Sequence, residues 1–170
     1  MDDRTRPAAR EDTASLVETI RGAFRGVAKR YGLNERNCPR HASNCTADWI
    51  EKDMDRGVAY FVLESGGQVA ASVALERAKP DVVYLERLAV LPRFRGRGFG
   101  KALVARALSE AQAMGARSVG IGVIADEALL KDWYRRLGFV ETQTRDFPHL
   151  PFRVSFMHRP LRVSGGPGKS

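Results

Sequence analysis

Long apolar runs are missing from this sequence. No stretch approaches the roughly 18 consecutive apolar residues that a membrane-spanning helix requires. The N-terminal segment MDDRTRPAAREDTAS is polar and lacks the apolar centre of a signal peptide. Together these absences predict a cytoplasmic protein. Histidine is scarce, at three residues, and cysteine scarcer, at two. Cys38, His41 and Cys45 form a C-x2-H-x3-C cluster in NCPRHASNC, while His149 and His158 lie far along the chain. A structural zinc site takes four ligands and this cluster offers three, so no metal is expected. A disulfide is not expected in a reducing compartment either, and the pair reads as reduced thiols in a polar loop. Acidic residues are in deficit, with 20 Asp and Glu against 28 Lys and Arg for a net charge of +8. Such an excess raises the prospect of a polyanionic partner. Yet the basic residues scatter from Arg4 to Lys169 with no block of five, which argues against nucleic-acid binding. No internal repeat and no linker divides the chain, so residues 1–162 read as one domain. The last segment, VSGGPGKS at 163–170, is expected to be a disordered tail.

What is present is a regular alternation of punctuated elements. Residues 4–7 suit a short first strand. From Asp12, Leu16, Ile20, Phe24 and Val27 recur at helical spacing, with Asp12 or Thr13 as cap and Gly32 as terminator. Thr46 caps a second helix bearing Trp49, Ile50 and Met54, closed by Gly57. VAYFVLE, then QVAASVALER after an SGG turn, then VVYLERLAV after KPD, read as three strands, with Val69, Ala71, Val73 and Leu75 alternating on one face. A helix is predicted from Gly98 to Met114, with Leu103, Ala107, Ala111 and Met114 on one side and Gly115 as its stop. SVGIGVI is an apolar strand expected to be buried on both faces. Glu127 to Leu137 is helical, Gly138 ends it, and FVETQTRDF and FRVSFMHR are two last strands around PHLP. The class is α/β (α+β), with antiparallel strands early and a strand–helix–strand crossover in the centre.

The chemistry concentrates in VLPRFRGRGFGKAL, between the third long strand and its helix. A P-loop ends in Gly-Lys followed by a hydroxyl residue, but Gly100-Lys101 is followed by Ala102. A dinucleotide fingerprint fails too, because its third glycine would fall on Lys101 or Leu103. Phe94 and Phe99 sit where a turn and a helix pack against a sheet, which removes the stacking platform a nucleic-acid site needs. What remains is a glycine-rich turn at a helix start. It gathers several amide N–H groups on one point, the helix dipole adds positive potential, and Gly96, Gly98 and Gly100 let a ligand approach the backbone. This is a cradle for an anion, and the flanking arginines suit a pyrophosphate.

Arg95-Gly96-Arg97-Gly98-Phe99-Gly100 resembles the R-x-x-G-x-G/A signature of the GCN5-related N-acetyltransferases (GNAT), and WYRRLGF at 133–139 resembles that family's second motif. The two motifs stand one helix and one strand apart, as in the family, and the likeness spans residues 4–160. It implies a mixed, mostly antiparallel central sheet flanked by helices, with a V-shaped splay between the two central strands. It implies acetyl-CoA as cosubstrate, its pantetheine arm along Leu88, Ala89 and Val90, and its pyrophosphate on the amides of Arg95, Gly96, Arg97, Gly98, Phe99, Gly100 and Lys101. Arg93 and Lys101 are candidates for the 3′-phosphate. Tyr134 matches the family's usual general acid, while Trp133, Leu137 and Phe139 read as core.

The base is less direct. Some family members carry a glutamate where this chain has Gly122, so Glu86 on the LERLAV strand becomes the first candidate. Glu127 stands where many members have asparagine, which leaves that contact without a counterpart. The family's acceptor region maps to NERNCPRHASNC and RDFPHLPF, making His41 and His149 candidate substrate contacts. The function expected is acetyl transfer to the primary amine of a small molecule or peptide, without nucleic-acid or membrane partners and with a homodimer open. The rivals are an acetyl-CoA sensor without turnover and a basic nucleic-acid-binding protein.

Overall fold

The computed structural model describes residues 3–162; the tail expected at 163–170 lies outside the described residues. Its strands are β1 (Arg4–Pro7), β2 (Ala59–Ser65), β3 (Gln68–Lys79), β4 (Val82–Val90), β5 (Ser118–Ile124), β6 (Val140–Arg145) and β7 (Val154–Pro160). They form one sheet in the order β1-β2-β3-β4-β5-β7-β6, in which only β4 and β5 run parallel. The helices are α1 (Thr13–Tyr31), α2 (Ala47–Asp55), α3 (Phe99–Ala113) and α4 (Ala128–Arg136). None among the described residues is long and apolar enough to cross a membrane.

Each face of the sheet is closed by helices whose apolar stripes the sequence spacing anticipates. Leu16 and Ile20 of α1 and Ile50 of α2 are fully buried against Val62, Ala74 and Ala89. On the other face Leu103, Ala107 and Ala111 of α3 are equally buried against Val73, Ile121 and Met157. Removing such side chains from water is the main stabilising contribution, about 1.5–3 kcal/mol for each large one. Gly32 ends α1 in a left-handed turn (φ 62°), and the Leu33 amide reaches back to the Ala28 carbonyl at 2.8 Å. Thr46 caps α2 by accepting from the Trp49 amide at 3.4 Å.

Three local expectations need correction. Neither Asp12 nor Thr13 caps α1 with its side chain: the Asp12 carboxylate is held by Arg6 and by the Ala9 amide, and the Thr13 hydroxyl donates to the Arg10 carbonyl. Val69 does not share a face with Ala71, because the β2–β3 register shifts at Leu63/Glu64 and turns Val69 to the α1 side. The strand SVGIGVI is not buried on both faces throughout, since Gly122 is exposed.

That last departure has a structural cause. Strand β4 pairs with β5 only from Val82–Ser118 to Tyr84–Gly120. Beyond this point β5 continues with β7 alone, through Ile124–Val154. On its other edge β4 stays with β3, but Arg87 and Leu88 stand opposite the single residue Val73. This extra residue is a β-bulge, and Arg87 takes up the bend in a left-handed conformation (φ 51°). The bulge turns β4 away from β5 and leaves the splay open at the centre of the sheet.

Candidate active site

A cavity of about 980 Å³ fills the splay. Its floor is the separated strands, with Glu86, Leu88 and Val90 on one side and Ile121 and Gly122 on the other. Phe24 and Val27 of α1, and Trp133 and Tyr134 of α4, form walls. The backbone of β4 past Tyr84 has no β5 partner, so its polar groups on this edge face the cavity. Leu88 and Val90 line it, whereas Ala89 is fully buried on the α1 side and pairs with Ser72. Ala89 can therefore contribute backbone only.

The glycine turn closes one end. Gly96 (φ 79°) and Gly98 (φ 81°) are left-handed, and a Cβ at either would meet no heavy atom within 4 Å. The cradle is thus open on the ligand side and shaped for glycine. Gly98 begins α3, and the first helical bond runs from the Ala102 amide to the Gly98 carbonyl at 3.0 Å. The amides of Phe99, Gly100 and Lys101 precede that bond and have no carbonyl below them in the helix. These donors, with the dipole, give the turn the means to hold an anion.

The structure separates the arginines of this motif. Arg95 is corrected as an amide donor: its N–H is taken by the Pro92 carbonyl at 3.3 Å. Its guanidinium is also occupied, donating to the Ala23 carbonyl at 2.9 Å and the Val90 carbonyl at 3.2 Å. Arg95 fastens the turn to α1. Arg97 lies over the Phe94 ring at 5.4 Å and is not among the cavity-lining residues. Arg93 donates to Gln68 at 2.9 Å, away from the cavity, which leaves Lys101 as the basic side chain lining the cradle.

Tyr134 is buried, packed edge-on between Trp133 at 5.0 Å and Phe139 at 5.3 Å. Burial pushes its phenol well above the ordinary tyrosine value, so it keeps its proton across the neutral range. It lines the cavity. Trp133, expected in the core, is half-buried and lies against Gly100, where a Cβ would meet it at 3.4 Å. Phe139 is core, as the sequence pattern indicates. Gly122 lines the cavity, and a Cβ there would meet Val154 at 3.3 Å, so a longer side chain is crowded at that point.

A second cavity of about 380 Å³ adjoins the first, and His41, Glu86, Arg87 and Phe152 line both. Here the structure brings together what the sequence holds far apart, because His41 and His149 line this smaller cavity with Glu86. Burial pushes the Glu86 carboxyl above its ordinary value; repulsion from Glu76 and Asp53 adds to this, and Arg87 and Arg56 offset part of it. A carboxylate with a raised pKa is a better proton acceptor near neutrality. Burial lowers the His41 pKa and holds the ring neutral. Its Nδ1 lies 2.7 Å from the Ser43 hydroxyl and accepts from the Ser43 amide at 3.3 Å, an arrangement that assigns the ring proton to Nε2 and makes His41 a donor there.

Arg87 is the cavity-lining residue that sequence reasoning missed. Its Nη1 donates to Asp53 at 2.6 Å and to the Tyr60 hydroxyl at 2.6 Å, and Tyr60 in turn donates to Asp53 at 2.5 Å. This polar cluster pins the bulge from beneath. No local pattern announces it, because a left-handed arginine inside a strand has no signature in sequence. Cys38 and Cys45 are free and lie in the connection between α1 and α2, yet both are buried, because that connection packs against α1. Among the described residues no group of three His, Cys, Asp or Glu is placed to hold a metal. Glu127 does not cap α4 with its side chain; it pairs with Arg30 of α1.

Residues 25–139 match the acetyltransferase (GNAT) family. An uncharacterized N-acetyltransferase of Methanocaldococcus jannaschii is 28% identical over 144 residues, covering 81% of this chain and 61% of the relative. This chain therefore spans less than two thirds of that protein. An uncharacterized N-acetyltransferase of Escherichia coli is 27% identical over 139 residues, covering 78% and 81% of the two chains. Among solved structures, a ribosomal-protein alanine N-acetyltransferase of Escherichia coli superposes with a TM-score of 0.76 at 18% identity, over 99% of this chain and 100% of that one. A Salmonella typhimurium protein solved with its cofactor acetyl-CoA gives 0.73 at 22% identity, with full coverage of both chains. At these identities the superpositions speak to the fold.

Proposed function

Because the chain belongs to the GNAT acetyltransferase family, we propose that it transfers an acetyl group from acetyl-CoA to a primary amine by direct attack. The observation that carries this reading is the splay cavity, which has the amide-rich glycine turn at one end and both Tyr134 and Glu86 among its lining residues. Acetyl-CoA supplies a thioester, whose acyl carbon accepts the amine and whose sulfur leaves. The amides from Gly96 to Lys101 bind the pyrophosphate, and the unpaired edge of β4 pairs with the pantetheine amides. Glu86, at the junction of the two cavities, takes the proton that an ammonium acceptor must lose, directly or through water. Tyr134 hands its proton to the departing sulfur. Its dry surroundings raise the phenol, but they penalise a thiolate as well, so the transfer is less uphill than the raised phenol alone would make it.

Direct attack is supported by the state of the thiols. Burial pushes Cys38 and Cys45 up, away from the thiolate form a covalent route would use. The test is release of free CoA thiol from acetyl-CoA across a panel of primary amines, with the melting temperature recorded on the same protein. We expect acetyl-CoA to raise the melting temperature and at least one amine to release thiol stoichiometrically with an N-acetyl product. Stabilisation without thiol release would favour the sensor instead, and a flat melting temperature at saturating acetyl-CoA would remove the reading altogether.

A further inference from the structure

The smaller cavity carries a cationic side chain that the transfer chemistry does not use. Arg40 lines it, is exposed, and lies over the Trp49 ring at 5.1 Å, while Arg87 lies over the same ring at 5.6 Å. The two guanidiniums differ in one respect. Arg87 is neutralised by Asp53 at 2.6 Å. Arg40 has no carboxylate within ion-pair distance among the described residues. The surrounding chain adds positive charge, since residues 21–45 hold Arg21, Arg25, Lys29, Arg36 and Arg40, besides Arg30 that Glu127 pairs, against one acid, Glu35. His41, next to Arg40, is a neutral ring that donates through Nε2. Glu86, the one carboxylate among the lining residues, shares the cavity with them, as do the apolar Leu150 and Phe152.

We propose that this cavity selects a free amino acid with an apolar side chain, its ammonium toward Glu86 and its carboxylate on Arg40 and the His41 N–H. The inference rests on the acetyl-transfer reading and names its acceptor class. The physical reasoning is charge complementarity in a confined space. A bare ammonium ligand would meet Glu86 but leave Arg40 unpaired, and a polycationic amine would be repelled by the excess of positive charge. A zwitterion satisfies both ends, and Leu150 and Phe152 receive the side chain. At about 380 Å³ the cavity is near the lower end of small-ligand pockets, which suits a single amino acid.

The experiment is calorimetric titration into the CoA-bound protein, using leucine, leucinamide and 3-methylbutylamine. These share one side chain and differ in the carboxylate. CoA is titrated first, and failure of that step counts against the acetyl-transfer reading and this inference together. With CoA bound, leucine should bind at least about tenfold more tightly than leucinamide or the amine, the range a charged hydrogen-bonded contact supplies. Arg40→Gln should bring leucine down to the level of leucinamide with CoA affinity unchanged, and Arg40→Lys should restore much of the difference. Equal affinity for the three ligands, tighter binding of either uncharged-end analogue, no binding of leucine, or an Arg40→Gln variant that binds leucine like the parent would each overturn the assignment. The first of these outcomes leaves acetyl transfer itself standing.

Discussion

Tyr134 and Glu86 are both withdrawn from water, and burial moves each away from the charged form. For Tyr134 this preserves a proton to give. No protein group among the described residues accepts a hydrogen bond from its hydroxyl, so Tyr134→Phe should leave the melting temperature nearly unchanged. If the phenol protonates the leaving thiolate, kcat falls by roughly ten- to a thousandfold with acetyl-CoA binding intact. An unchanged kcat would take Tyr134 out of the mechanism. For Glu86 a shift of the same sign carries a cost near neutrality. A carboxyl whose folded pKa is raised binds its proton more tightly when folded, so it loses stability as pH climbs from the ordinary carboxylate range through the folded pKa. Glu86→Gln should therefore melt higher than the parent at pH 7, and this gain should vanish at pH 4. The same variant should lose about a hundredfold in kcat/KM near neutrality, the low end of what general base catalysis contributes. That loss should shrink at high pH, where the acceptor arrives already deprotonated. A variant that melts lower at pH 7, or whose rate loss ignores pH, would show that Glu86 is not the base.

At the scale of elements, the site depends on how two segments are bent. The start of α3 requires left-handed glycine at Gly98, and the bulge in β4 requires left-handed Arg87. A non-glycine residue held in such a conformation costs about 1–3 kcal/mol, which the buried contacts of Arg87 with Asp53 and Tyr60 offset. Gly115, just after α3, provides a matched comparison with Gly98: φ is 80° against 81°, and a Cβ meets nothing within 4 Å at either. Alanine at either position should cost about 1 kcal/mol by strain alone. Only Gly98→Ala should also weaken the stabilisation by acetyl-CoA, because its methyl group enters the space where the phosphates approach. Equal responses to acetyl-CoA in the two variants would place the anion somewhere other than this turn. Arg30 and Glu127 add a further link between elements, joining α1 to α4 through residues that both line the large cavity.

Across the whole molecule, one carboxylate ties distant segments together. Asp53 of α2 receives Tyr60 of β2, Arg87 of β4 and Arg56 just beyond α2, and Arg56 also meets Glu76 of β3. Burial alone would raise the Asp53 carboxyl, but the donors from Tyr60 and Arg56 and the charge of Arg87 outweigh it and hold the group below its ordinary value. A depressed carboxylate stabilises the fold fully above the unfolded pKa and loses that contribution as pH falls through the folded one. Asp53→Asn should thus be about 3 kcal/mol less stable than the parent at pH 7, since it leaves Arg87 without its counter-charge. The gap should begin to narrow below about pH 4, where the unfolded carboxyl takes up its proton, and close only once the lowered folded carboxyl is itself protonated. Urea unfolding at pH 7 and pH 3 measures both; a gap of the same size at the two values would mean that the charge on Asp53 is not what stabilises.

Sequence by itself determined the elements and the cradle. Helical spacing at Leu16–Ile20 and Leu103–Ala107–Ala111, a threonine before α2 and glycines after α1 and α3 are local signals, because helix formation and capping are settled within a few residues. The R-x-x-G-x-G turn is local in the same sense: backbone freedom at Gly96 and Gly98 and a helix start are enough to gather amide donors on one point. The tertiary structure decided which of those amides and side chains remain free. Arg95 turned inward to carbonyls of α1 and β4, and Arg97 moved over Phe94, choices set by neighbours distant in sequence. It also decided which residues meet at the smaller cavity. Glu86, His41 and His149 meet at one small cavity, and Arg87 bends β4 above Asp53, because strand pairing and buried charge join segments that no local spacing relates. Local physics writes itself into spacing and composition; a bulge, a buried ion pair and a cavity wall come into being only when the sheet closes.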